Sequence, residues 1–161
     1  MISVSQLRRF IVRPTLEHIG LWSHNAEQLV ICTGLQESHL RFVDQLDRGG
    51  SWWGPALGFF QMEKATHTDH WRWLESRTEL RDKVKSLMGE HPEPWRQLAG
   101  NVNYAAAMCR IHYRTKPGAL PSGDDLEAMG RYWKKFYNTV HGKGTVEQFV
   151  ASCRDHWKEG L

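Results

Sequence analysis

The residue best placed to do chemistry is Glu37, in the block Gln36-Glu37-Ser38 that closes the apolar run Leu29-Val30-Ile31-Cys32 and Leu35. Read as a helix, Ala26, Leu29, Val30, Thr33 and Glu37 fall at i, i+3, i+4, i+7 and i+11, on one face. The carboxyl then lies on the stripe that Leu29 and Val30 bury, while Ile31, Cys32 and Leu35 enclose the other sides, as around a central helix. Desolvation penalises the charged form of such a carboxyl and raises its pKa. That is how a glutamic acid stays protonated for general acid work near neutral pH. A solvated glutamate at a helix end is the plainer alternative.

A second block, Gly58-Phe59-Phe60-Gln61-Met62, follows an aromatic and glycine-rich loop. Gly58 permits a tight turn, Phe59 and Phe60 can pack it, and Gln61 offers donors and an acceptor suited to a sugar hydroxyl or acetamide. In the loop, Trp52 and Trp53 are candidates for stacking on sugar rings, or else core lids. Asp44, Asp47 and Glu63 are further carboxylates, either assisting or on the surface; a two-carboxylate glycosidase needs a defined separation that spacing alone does not supply. His67 and His70 have a spacing that can bind metal on a helix. No third ligand accompanies them, so a polar surface with Thr68 as a helix cap is the expectation, and no metal or cofactor is called for.

Taken together, Gln28 to Leu40 with Glu37-Ser38, then Ala56-Leu57-Gly58-Phe59-Phe60-Gln61-Met62, then Asn101-Val102-Asn103-Tyr104-Ala105-Ala106-Ala107-Met108, resemble the lytic transglycosylase and goose-type lysozyme group. The Gly-Phe-Phe-Gln-Met-Glu form also looks like small bacteriophage proteins of this type. The resemblance covers roughly residues 25 to 140. It implies a mainly α, lysozyme-like fold with a central helix and a small β-hairpin, and cleavage of the MurNAc-β-1,4-GlcNAc bond of peptidoglycan. Glu37 would be general acid and then base, Ser38 would orient it, and Gln61 and Phe60 would belong to the substrate-binding turn. The group's Ala-Tyr-Asn-Ala-Gly motif is not kept here; Tyr132 is the nearest match to its tyrosine and Tyr137-Asn138 the rival. A hydrolytic muramidase and a non-catalytic virion or sugar-binding module are the alternative readings.

The elements that must position these residues follow from caps and breakers. Ser5 to Val12 reads as a helix stopped by Pro14, Thr15 can cap a second short one, and Asn25 with Gln28 makes a capping-box start for the central helix. Arg41 to Pro55 reads as a loop or small hairpin. Helices follow over Asp69 to Ser76, Thr78 to Met88, Asn101 to about Arg114, from Ser122 through Tyr137, and from a Thr145/Gln148 capping box to Trp157.

The 161 residues suit one domain with one core, 1–161. A net charge of +3 is mildly basic without a clustered stripe, which argues against nucleic acid as the partner. Arg8, Arg9 and Arg13, and Lys134-Lys135, read as solvated faces. Eight tryptophans favour carbohydrate. Cys32, Cys109 and Cys153 lie on apolar stripes and read as reduced core thiols. No apolar run reaches the ~18 residues of a membrane span, and no signal peptide is evident at the N-terminus. A protein made in the cytoplasm would then reach the wall within a phage particle or through a holin pore.

Overall fold

The computed structural model describes residues 1–44 and 54–161. Asp47, Trp52 and Trp53 therefore lie outside the described residues. The chain is mainly helical with one two-stranded antiparallel sheet among the described residues. No helix there is long and apolar enough to cross a membrane.

Helix α3 (His24–Ser38) is the axis of the fold, and every residue from Ala26 to Leu35 is buried. Its cap is Ser23, whose Oγ accepts the Ala26 N–H at 3.1 Å. Asn25, expected as the cap, is already inside the helix and accepts the Gly123 N–H instead, at 2.8 Å. Three later helices pack on α3: α7 (Val102–Arg114), α8 (Leu126–Trp133) and α9 (Val146–Cys153). Their caps hold each in register. Asn101 Oδ1 accepts the Tyr104 N–H, Asp125 rather than Ser122 caps α8, and Thr145 with Gln148 closes a capping box on α9. Cys32, Cys109 and Cys153 are free and buried.

The first helical run does not stop at Pro14. Helix α1 (Val4–Leu7) passes through a π-helical turn (Arg8–Val12) into α2 (Arg13–His18), with Pro14 in its first turn. Proline lacks an N–H and its ring crowds the carbonyl one turn earlier; the wider turn just before it accommodates both. Thr15 is consequently inside α2 and buried, not a cap.

Arg8, expected on a solvated face, is buried beside Glu27 of α3. Its Nη1 donates to Glu27 Oε1 at 2.6 Å, and it also donates to the carbonyls of Trp157 and Glu159. Arg13 and the Trp22 indole complete the set, so the Glu27 carboxylate receives four N–H bonds. This cluster ties the N-terminal run, the start of α3 and the C-terminal segment together.

The hairpin consists of β1 (Ala56–Leu57) and β2 (Met62–Glu63), with Ala56 opposite Glu63 and Leu57 opposite Met62. Its loop is the Gly58–Gln61 turn, and Asp44 bridges to Leu57 at its edge. Gly58 has φ +77, and a Cβ there would lie 2.3 Å from the Leu98 carbonyl oxygen, so only glycine fits. Helix α4 (Lys64–Glu75) starts directly after β2, ahead of the expected Asp69, because Glu63 ends the strand in extended geometry. Thr68 is thus within α4, and His67 and His70 face inward. Helix α5 (Thr78–Lys85), a 3-10 turn (Pro94–Arg96), α6 (Gln97–Gly100) and a π-helical turn after α8 (Lys134–Asn138) complete the described elements.

Burial raises the Glu27 pKa, but hydrogen bonds from Arg13, Trp22 and Arg8 outweigh it and hold the carboxyl at about 2. Because the folded value lies below the unfolded one, this stabilisation is complete above about pH 4.5 and is lost as pH falls toward 2. Glu27→Gln leaves the Arg8 guanidinium buried without a counter-charge, and a loss of about 3–5 kcal/mol at pH 7 is expected in urea unfolding. The variant should also show a shallower decline in stability between pH 4.5 and 2 than the wild type.

Candidate active site

Glu37 stands in the last turn of α3, at the wall of a cleft of about 750 Å³. The hairpin, through Gln61, Met62 and Glu63, forms one side of the cleft; Trp133 and Tyr137 form another. Trp133 Nε1–H donates to Glu37 Oε1 at 2.8 Å, the one hydrogen bond to this carboxyl among the described residues. Burial pushes the Glu37 pKa up to about 7, and the indole N–H pulls only partly the other way. The carboxyl is therefore half protonated near neutral pH, as a general acid requires.

The chain turns away from Glu37 through two consecutive non-glycine residues in the left-handed region, His39 (φ 49) and Leu40 (φ 52). Such backbone costs of order 1–3 kcal/mol per residue. Burying Leu40 against α3 returns roughly 1.5–3 kcal/mol. Gly34 makes the room, since a Cβ there would come within 2.7 Å of Leu40 Cδ2 and 3.2 Å of Phe60 Cε1. Ser38 is buried, and its Oγ donates to the Phe59 carbonyl at 2.8 Å. It clamps the Gly58 turn to the end of α3; it does not line the cleft.

Gln61 also has a left-handed backbone (φ 47), and its Nε2 donates to the Gly58 carbonyl at 2.8 Å. That bond fixes the amide in the cleft wall, leaving Oε1 and one N–H for a ligand. Phe60 is buried behind the turn and takes part through its carbonyl, which accepts from Tyr137 Oη at 2.6 Å. Of the two tyrosines that the sequence offers, Tyr137 lines the cleft. Tyr132 does not; its ring packs on Tyr113 and Phe136. Tyr137, in the π-helical turn Lys134–Asn138 that follows α8, lies four residues beyond Trp133 on the same stripe, and Tyr132 lies off it.

Two residues at the site escape sequence reasoning about function, Trp133 and His112, and the tyrosine that lines the cleft is the rival candidate, Tyr137. Trp133 and Tyr137 share the α8 stripe, which reads as core, and the signal is that a buried indole needs a partner for its N–H. His112 is reached only through tertiary contact. Its Nε2 lies 2.6 Å from the Phe136 carbonyl, which requires the proton on Nε2 and leaves Nδ1 to accept from His70 Nε2 at 3.0 Å. Burial, which lowers His70 to about 3 and His112 to about 4, keeps both rings neutral. His67 is likewise buried, with Nε2 2.6 Å from Tyr104 Oη. The expectation of a solvated histidine pair is thus overturned, since α4 turns both rings toward α7. Among the described residues no group of three or more His, Cys, Asp or Glu could hold a metal ion.

Asp44 and Glu63 line the same cleft as Glu37. Asp44 Oδ1 accepts the Gly54 N–H at 2.8 Å, which orients it beside the hairpin. No protein-family model matches the chain, and comparisons with curated proteins and with solved structures give no significant match.

The folded pKa of Glu37 lies above the unfolded value, so its protonated form favours the native state below about pH 4.5 and that advantage is lost as pH rises through 7. Glu37→Gln keeps an acceptor for Trp133 and cannot ionise. Relative to the wild type it should gain roughly 2–3 kcal/mol between pH 4.5 and 8 in urea unfolding. A constant difference across that range would show the carboxyl to be solvated.

Proposed function

We propose that this chain cleaves the β-1,4 bond between N-acetylmuramic acid and N-acetylglucosamine in peptidoglycan, as a lytic transglycosylase. One observation carries the reading: a single desolvated carboxyl, Glu37, with a pKa near 7, in the wall of a cleft of ligand size and beside the polar Gln61 turn. The motif resemblance from Gln28 to Met108 supplies the substrate class; the site supplies the acid.

In this mechanism protonated Glu37 gives its proton to the glycosidic oxygen as the C1–O bond breaks. The substrate's own acetamide supports the cationic carbon, so no second enzyme carboxyl is needed. Glu37, now a carboxylate, takes the proton of the muramic 6-hydroxyl as that oxygen bonds to C1, and the 1,6-anhydro product leaves. The first proton leaves on the 4-hydroxyl of the departing sugar, and the 6-hydroxyl proton restores Glu37 to its acid form. Trp133 N–H stabilises the carboxylate stage, the free face of the Gln61 amide holds a sugar substituent, and Tyr137 supplies an aromatic wall. The site of action is the bacterial wall, with delivery in a phage particle or through a holin pore.

Hydrolysis is the second reading, favoured by Asp44 and Glu63 in the same cleft, either of which could activate a water. Mass spectrometry of digested peptidoglycan separates the two: anhydro ends are expected, and reducing ends alone would assign hydrolysis. Activity is expected to fall as pH rises above about 7, when Glu37 loses its proton. Glu37→Gln should lower the rate about 10²–10⁴-fold, and Trp133→Phe should move the alkaline limb to higher pH. No wall clearing by either wild type or Glu37→Gln would leave only a non-catalytic module, and equal clearing by both would remove Glu37 from the reaction.

A further inference from the structure

A second groove, also about 750 Å³, lies between α4, α5 and the Pro94–Arg96 turn. Trp71, Met88 and Trp95 give it apolar walls, and Lys64, Arg81 and Lys85 stand around it. Against these three cations, Glu93 is the one carboxylate lining it among the described residues, and Glu93 is already paired with Lys64 and Arg96. Arg81 is paired with Asp82, whereas Lys85 forms no ion pair among the described residues. The groove thus combines indole surface with a surplus of positive charge.

His67 adds a fixed polar group. Trp71 Nε1–H donates to the Tyr104 oxygen at 2.8 Å, so the phenol's own proton is available to His67 Nε2, 2.6 Å away. The imidazole proton then sits on Nδ1, which no hydrogen bond among the described residues engages. His67 therefore lines the groove as a neutral imidazole, beside Thr68, Glu93 and the three cations.

The partition between groove and cleft is one strand thick. Met62 lines the cleft, and its carbonyl accepts the indole N–H of Trp95 in the groove wall at 3.3 Å. Glu63 lines the cleft and the next residue, Lys64, the groove.

We infer that this groove binds the carboxylate-bearing peptide branches of the polymer whose glycan strand occupies the cleft, an assignment that rests on the glycosidase reading above. Such branches are short, with small apolar side chains and free carboxylates. The methyl groups suit the faces of Trp71 and Trp95, and the carboxylates suit Lys85 and Arg81. A neutral glycan chain has no use for the surplus charge.

The test is an NMR titration of the whole chain with a synthetic alanyl-γ-glutamyl tetrapeptide bearing free carboxylates. Saturable shifts of the Trp71 and Trp95 indole N–H signals are expected, with affinity falling at least tenfold in Lys85→Glu, an exposed position where folding is not at stake. No shift at millimolar peptide, shifts confined to Trp133, or unchanged affinity in Lys85→Glu would overturn the assignment. Cleavage of a peptide-free glycan of alternating N-acetylmuramic acid and N-acetylglucosamine by the wild type reports on the cleft separately. Cleavage without peptide binding removes the groove assignment alone, and peptide binding without cleavage removes the glycosidase reading alone.

Discussion

A helix whose ten consecutive residues from Ala26 to Leu35 are all out of water needs neighbours on every side, and α7, α8, α9 and the N-terminal π turn supply them. Whatever stands at the end of such a helix inherits part of that enclosure. Glu37 is two residues beyond the buried run, far enough to reach a cleft and close enough to be desolvated. The chemistry of the carboxyl is thus a by-product of how completely α3 is covered.

The same helix holds two carboxylates with opposite fates. Glu27 and Glu37 are both withdrawn from water, and burial raises both pKa values. Four N–H donors, three of them from guanidinium groups, reverse the effect at Glu27 and keep it ionised. One neutral indole donor at Glu37 does not. Charge-assisted bonds are roughly twice as strong as neutral ones, and this difference separates a fixed anion from a carboxyl whose pKa is near 7 on one rod.

Strain around the cleft is offset by burial close by. His39, Leu40 and Gln61 take left-handed backbone that glycine would adopt more easily. Leu40 is held by the notch at Gly34, and Gln61 by two hydrogen bonds, from its backbone and side-chain N–H groups, to the Gly58 carbonyl. Ser38 locks the two features together. The turn that faces Glu37 is therefore rigid for reasons outside the cleft, as a preorganised site requires.

Local signals in the chain determined the helical class, the central helix with Glu37 on its buried stripe, the caps at Asn101 and Thr145, and the Gly58 turn. Each depends on residues within one or two turns of one another: 3.6-residue periodicity, a side chain bonding a nearby backbone N–H, or a glycine with positive φ. Tertiary structure alone decided the rest. Arg8 is buried because Glu27, Trp157 and Glu159 converge on it from distant parts of the chain. Of the two candidate tyrosines it is Tyr137 that reaches the cleft, and Trp133 meets Glu37 across 96 positions of sequence. A stripe of apolar and aromatic residues specifies that a face is buried, but which partner its N–H or O–H finds is settled only when the helices pack.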